Sequence, residues 1–256
     1  MCVFLPSPDQ IPSQQLHIFV EMSYIRMKMK VNTTMVSTIG DVLNLFVHKE
    51  WDQFDTFILS RPTLFQNISI AVSLNSQLNG MTLLHAAVRF SPPLDVIYKM
   101  IELCPYMVAV QDCLGRTALH VATGSGASPK IVALIANAHP PACDVQDRDG
   151  KTPLHFACDC SCVLFEDDGY ICINSSKQQL YSESIVALLS HSLRATTLKD
   201  FENMIPLQHA ILSKASSETI RMISDHMICF SDHMDGDRPR KKVRMISLDE
   251  GGGICH

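Results

Sequence analysis

A short pattern that returns at a fixed interval limits how this chain can fold more than any other feature. The segments MTLLHAAV, RTALHVAT and KTPLHFAC place Thr82, Thr117 and Thr152 at intervals of 35 residues. A weaker copy, MIPLQHAI, puts Ile205 another 53 residues further on. Apolar stretches also recur after each copy: VIYKMI from 96, IVALIA from 131, IVALLS from 185 and TIRMIS from 219. Self-similarity of this kind predicts a stack of two-helix units.

The residue types within each unit agree with this interpretation. A threonine before an apolar stretch predicts a helix N-cap, and Pro153 and Pro206 stand at a first helical position that needs no N–H donor. Glycines at 80, 115 and 150 precede the cap, where they predict a turn with positive φ. One such unit cannot bury its apolar face alone, so the units must stack.

The T-x-L-H-x-A pattern, preceded by D-x-x-G in DCLG (112–115) and DRDG (147–150), resembles the ankyrin repeat. The resemblance covers about residues 79–228 and implies an all-α solenoid, in which each unit is a tight turn plus two antiparallel helices. It also implies a structural role for His85, His120 and His155. In this family the histidine hydrogen-bonds to the capping threonine and to the backbone of the adjoining turn.

Sequence outside the repeats predicts the rest of the organisation. Residues 1–40 are expected to form a disordered arm, and residues 229–256 a basic disordered tail. Residues 41–78 are expected to form degenerate capping helices, with a helical pattern that ends near Pro62. In the third unit, extra residues at about 161–179 separate the two helices. In the fourth unit, Ile205 replaces the capping threonine and Gln208 stands where the histidine would be. This unit is therefore expected to act as a C-terminal cap.

Several kinds of chemistry could be assigned to the insertion and the residues before it. Zinc could bind Cys158, Cys160, Cys162 and Cys172, although the spacing matches paired C-x2-C sites poorly. Calcium at EDDG (166–169) lacks the alternating oxygen ligands of a proper loop. A cysteine nucleophile would need a free histidine as its base, and His155 is assigned to the repeat. A solvated loop is favoured, so no metal, cofactor or catalytic residue is predicted.

Composition narrows the class of protein further. Ten cysteines without a signal peptide indicate thiols in a reducing compartment, and no apolar run approaches the ~18 residues of a membrane helix. A net charge of −5 gives no general case for binding nucleic acid or a membrane. Phosphate-cradling loops, G-x-S-x-G and H-E-x-x-H are absent from the sequence. We expect a monomeric, non-catalytic protein of the cytoplasm, with the nucleus as an alternative location.

The resemblance also implies a protein partner, because ankyrin repeats typically bind through their turn tips and the exposed side of their first helices. The residues at those positions are Met81, Arg89, Cys113, Leu114, Arg116, Arg148, Asp149, Lys151 and Asp159. The leading hypothesis is a scaffold or adaptor. An alternative is a nuclear or signalling regulator directed by RPRKKVR (238–244), whose Lys241, Lys242 and Arg244 resemble an import signal. A third is a regulatory fragment of a larger enzyme.

Overall fold

The computed structural model describes residues 33–75, 78–159, 164 and 175–235. These residues form helices and no strands, which confirms the predicted all-α repeat architecture. The eleven α-helices of this part of the chain are α1 (Thr33–Val47), α2 (Trp51–Ser60), α3 (Pro62–Leu74), α4 (Leu83–Arg89), α5 (Leu94–Leu103), α6 (Ala118–Gly124), α7 (Pro129–Ala138), α8 (Pro153–Cys158), α9 (Ser175–Leu189), α10 (Pro206–Leu212) and α11 (Ser217–Asp235). Four units follow, made of α4–α5, α6–α7, α8–α9 and α10–α11.

The first helix of each unit begins where the repeated pattern predicts. Thr82, Thr117 and Thr152 are N-caps with extended backbone, and α4, α6 and α8 start at the next residue. The second helix of the second unit ends at Ala138, because two prolines follow and continue the chain as a 3-10 helix, Pro140–Asp144. Local sequence therefore sets most of the helix boundaries within the units.

Stacking of the first helices builds the centre of the molecule. Helix α4 packs on α6, α6 on α8, and α8 on α10. Leu84, Leu119 and Leu154 occupy the same position in successive units, and each is at most 1% exposed. Each first helix is covered by the next one along the chain, which makes the apolar core continuous.

Helices α1–α3 cover the N-terminal side of the first unit. Phe46, Trp51, Phe54 and Phe65 form a buried aromatic cluster among them, and α1 and α3 pack against α4. An ion pair of 2.5 Å between Lys99 Nζ on α5 and Asp55 Oδ1 on α2 adds a polar connection. The start of the stack is therefore closed by helices of a different kind.

Two expectations for this N-terminal region were wrong. Helix α1 begins at Thr33, inside the arm that was expected to be disordered to residue 40, because Ile39, Val42 and Phe46 recur at helical spacing and are buried. Pro62 does not end the region. It is the first residue of α3, a position at which proline is well tolerated.

Two further boundaries differ from the prediction. Helix α9 begins at Ser175, within the insertion expected at 161–179, and α11 continues to Asp235, beyond the expected start of the tail at 229. Neither helix contains glycine or proline, so nothing in its sequence stops it earlier. Outside the described residues lie 1–32, 76–77, 160–163, 165–174 and 236–256. These segments contain Cys160, Cys162, Cys172 and the predicted import signal. No described helix has the length and apolar content needed to cross a membrane.

Candidate functional site

The turns that precede the first helices are joined by one repeated backbone hydrogen bond. In each case an N–H in one turn donates to a carbonyl in the turn before it. The pairs are Cys113 to Asn79 at 2.7 Å, Arg148 to Leu114 at 2.8 Å, and Phe201 to Asp149 at 2.9 Å. The turn of the fourth unit therefore sits directly on that of the third, and the tips form one continuous row.

The turns of the second, third and fourth units are each shaped by an aspartate that accepts a backbone hydrogen bond from four residues later. Asp112, Asp147 and Asp200 accept from the N–H groups of residues 116, 151 and 204 at 2.8–2.9 Å. Gly150 closes its turn at a φ of +76°, and a Cβ there would lie 3.0 Å from the backbone of Asp200 and Phe201. A side chain at position 150 would therefore push the third and fourth turns apart.

The three repeated histidines hold each first helix to the following turn. Nδ1 of His85, His120 and His155 accepts the N–H of its capping threonine at 3.0–3.2 Å. Nε2 then bonds the carbonyl of residue 116, 151 or 204 in the next unit at 3.0–3.2 Å. All three are fully buried, and these contacts confirm the predicted structural role.

Burial and hydrogen bonding fix the protonation state of these rings. A backbone N–H can only donate, so Nδ1 must be unprotonated and Nε2 must carry the proton. Burial lowers the pKa of His120 to about 3 and that of His155 to about 4, although the hydrogen bonds to backbone carbonyls act in the opposite direction. The imidazoles are therefore neutral at physiological pH.

One buried group of side chains has the composition of a metal site. Ligand atoms of His155, Asp200 and His209 lie within 4.8 Å of one another. However, His155 donates its Nε2 proton to the Met204 carbonyl and accepts at Nδ1, so it has no lone pair for a metal. His209 and Asp200 form a direct pair of 2.7 Å between Nε2 and Oδ2. Two ligands are fewer than protein zinc sites provide, which favours a structural role for this group.

The aspartate of this pair is held in its charged form. Burial acts to raise the pKa of Asp200, but the hydrogen bond from His209 and the N–H of Met204 lower it below the usual value. The pair thus connects the turn of the fourth unit to helix α10.

Four of the nine predicted partner-binding residues are exposed along the row of turn tips. Cys113, Leu114, Arg148 and Asp149 are exposed there. The others on the surface are half-buried: Met81, Arg89, Lys151 and Asp159. The guanidinium of Arg89 lies over the ring of Phe90, 5.4 Å from its centroid. The tips therefore form the most accessible part of the predicted surface.

Arg116 does not belong to this exposed row. It is 8% exposed, and its guanidinium binds Oδ2 of Asp112 through Nε at 2.9 Å and through a terminal nitrogen at 2.8 Å. The turn directs this aspartate inward, where its carboxylate needs a cation, and Arg116 supplies it. Its role is structural, so we leave it out of the partner surface.

Sequence reasoning missed the most exposed apolar residue at the turn tips. Phe201 is 79% exposed at the tip of the fourth turn, with the exposed Glu202 beside it. The segment DFEN (200–203) stands five residues before Ile205, as DCLG and DRDG stand before their threonines. That spacing could have identified Phe201, but Asn203 in place of the glycine obscured the match. Asn203 adopts the same positive φ, +63°.

Comparison with known proteins agrees with the geometry of the units. A family model described as ankyrin repeats, in three copies, matches residues 84–168. A search of curated proteins found no match to the chain. The matched residues include the D-x-x-G turns, all three repeated histidines and two of the three capping threonines. Together, the family match and the hydrogen bonds repeated between units show that the chain contains ankyrin repeats, a type of repeat that generally mediates protein–protein interaction.

Proposed function

We propose that this protein is a non-catalytic scaffold or adaptor that binds a protein partner through its ankyrin turn tips and the groove beside them. The observation that carries the proposal is the continuous row of turns, hydrogen-bonded from Asn79 to Phe201. A rigid row can present several side chains to one partner without a large cost of ordering them. Ankyrin repeat domains are typically non-catalytic, which agrees with a binding role.

The row offers the residue types that dominate protein interfaces. Leu114 is 43% and Phe201 is 79% exposed, with Arg148 and Asp149 at the turn between them. Aromatic and arginine side chains contribute most of the binding energy at many interfaces. Burying a phenylalanine side chain is worth about 1.5–3 kcal/mol, which corresponds to roughly ten- to hundredfold in affinity. We expect Phe201 to be the main apolar anchor and Arg148 to bind an acidic group of the partner.

Affinity capture from the native cell, with the full chain as bait, would identify the partner. We then expect Phe201→Ala to weaken its binding by about tenfold or more, and Arg148→Ala to weaken it by a smaller factor. Leu59→Ala is a matched control, because Leu59 is 64% exposed on α2, outside the row. The Leu59→Ala variant should bind the partner with the affinity of the wild type. If both turn-tip variants bind every captured partner as tightly as the control does, the turn-tip proposal is wrong.

As an alternative, we propose a nuclear or signalling regulator, because RPRKKVR resembles a monopartite import signal. Lys241, Lys242 and Arg244 lie outside the described residues. A fluorescent fusion too large to diffuse through nuclear pores should concentrate in the nucleus. Replacing Lys241 and Lys242 by alanine should return it to the cytoplasm. A large fusion that stays cytoplasmic would remove this alternative and leave a cytoplasmic scaffold.

A further inference from the structure

The groove beside the turn tips is lined by one face of each first helix. Arg89 and Asp159 stand on this face at equivalent positions of the first and third units, and both are half-buried. In the first unit Ala86 lies three residues before Arg89, so it shares the same face, and it is half-buried as well. The groove is therefore partly open to solvent at the first unit.

The same face of the second unit is covered. Val121 and Gly124 are equivalent to Ala86 and Arg89 by the 35-residue interval. However, Val121 is 0% exposed, and Gly124 is buried as well. Every residue of α6 is buried, although α4 and α10 each have residues that are not. Since glycine has no side chain, another part of the chain must cover this stretch of the groove.

Leu164 lies against this stretch. It belongs to the extra residues between the two helices of the third unit, and it is half-buried. A Cβ at Gly124 would lie 2.7 Å from Cγ of Leu164 and 3.3 Å from Cδ1 of Phe156, which is 5% exposed on α8. The leucine side chain therefore fills the space that a side chain at position 124 would take. We call the surface formed by Gly124 and Phe156 the Gly124 seat.

The chemistry of the Gly124 seat suits a branched aliphatic side chain. One wall is bare helix backbone and the other is the edge of an aromatic ring, so apolar contact is what the seat offers. The equivalent positions of the other units carry Arg89, Asp159 and Leu212, whose side chains would occupy this space. Glycine is unfavourable inside a helix, and making room for a side chain from elsewhere accounts for its presence here.

We propose that the Gly124 seat is a binding site for a branched aliphatic side chain, and that Leu164 occupies it within the free chain. A partner that reaches from the turn tips into the groove must present such a side chain and displace Leu164. Only the fraction of molecules with Leu164 released can bind there, so the apparent affinity falls in proportion to that fraction. This inference rests on the proposed function, which places a partner at the tips and the groove.

Leu164→Asp tests the occupied seat without any partner. A carboxylate does not fill an apolar seat, so the ring of Phe156 should become accessible. The fluorescence of 8-anilinonaphthalene-1-sulfonate, a dye that binds exposed apolar surface, should rise by about threefold or more. Leu59→Asp makes the same change at a leucine that is 64% exposed on α2, and it should give the fluorescence of the wild type.

Circular dichroism should show equal helix content in these two variants, because Leu164 lies outside the described helices and the apolar core. A folded Leu164→Asp variant with the dye fluorescence of the wild type would overturn the proposal.

Gly124→Leu tests the same seat from the helix side. The new side chain should take the place of Leu164 and leave α6 intact, because leucine is a better helix former than glycine. Chymotrypsin cleaves after large apolar residues, so it should cut the released chain after Leu164 roughly tenfold faster than in the wild type. The masses of the fragments identify this bond. Equal cleavage rates in the two proteins would show that Leu164 does not occupy the seat.

A captured partner separates this inference from the proposed function. Leu164→Asp should bind it about tenfold more tightly, because the seat is then open, whereas Phe201→Ala should bind it more weakly. If Phe201→Ala weakens binding and Leu164→Asp leaves it unchanged, the turn-tip function stands and displacement of Leu164 by the partner is wrong. If the turn-tip variants bind like the wild type, the proposed function fails, while the dye and cleavage results still decide whether Leu164 occupies the seat.

Discussion

Replacing His120 by alanine is expected to lower the free energy of unfolding by about 2–4 kcal/mol. The ring is fully buried. It accepts the N–H of Thr117 at 3.0 Å and bonds the carbonyls of Val145 and Lys151 at 3.1 and 3.2 Å. Alanine would leave these backbone groups unsatisfied and also create a cavity between the second and third units. Urea denaturation at neutral pH, followed by circular dichroism, would measure the loss.

The fourth unit supplies the control for this variant. Gln208 stands at the equivalent position, and its Oε1 accepts the N–H of Ile205. His120→Gln should therefore preserve the hydrogen bond to Thr117, and its amide NH2 should replace part of the donor function of the imidazole. It should lower the free energy of unfolding clearly less than His120→Ala does. Equal losses in the two variants would show that the cavity, and not the hydrogen bonds, determines the effect. A His120→Ala variant as stable as the wild type would contradict the structural role altogether.

Features set by local chemistry could be predicted from the sequence. The threonine cap, the histidine three residues later and the glycine turn involve neighbouring residues, so the repeated letters were enough to locate α4, α6 and α8. Helix α1 carries no repeated segment, and the repeated segment of α9 begins only at residue 185, so the starts of both helices depend on packing and on the absence of breakers. This is why their boundaries were misplaced.

Which residues belong to the candidate site depends on their burial, which the sequence alone does not give. Arg116 has the charge typical of a surface residue, but the inward turn of Asp112 fixes it in the interior. Phe201 is typical of a core, yet it is 79% exposed, because it occupies the turn-tip position at which Cys113 and Arg148 are exposed as well. Position within the turn, and not residue type, decided both outcomes.

Mild acid is expected to destabilise the fold strongly. Burial holds the pKa of His120 at about 3 and that of His155 at about 4, and it lowers the pKa of His85 as well. In the unfolded chain these groups should titrate near a pKa of about 6.5. The unfolded state therefore binds protons that the folded state does not, and the free energy of unfolding falls as the pH drops below about 6.5.

The expected loss is large compared with the stability of a typical domain. Each pH unit below the unfolded pKa costs about 1.4 kcal/mol per histidine that stays neutral in the folded state. Between pH 6.5 and 4.5, His120 and His155 together should remove about 5 kcal/mol, against a total of about 5–15 kcal/mol for most domains. Asp147 opposes this trend, because burial raises its pKa in the folded state. Asp200, whose pKa is lowered, adds to the loss at still lower pH.

Urea denaturation at several pH values between 7.5 and 5 would measure this dependence, with the free energy of unfolding taken from the midpoint and slope of each curve. This range spans roughly the pH at which free histidine titrates. His120→Gln is again the sharpest comparison, since it removes one titrating group while keeping the hydrogen bond to Thr117. Below the unfolded pKa, its stability should fall less steeply than that of the wild type by about 1.4 kcal/mol per pH unit. A change confined to the exposed surface, such as Leu59→Ala, should leave the slope unaltered. A wild-type stability that is constant from neutral pH down to about 5 would show that the buried histidines accept protons in the folded state, against the neutral form that their hydrogen bonds require.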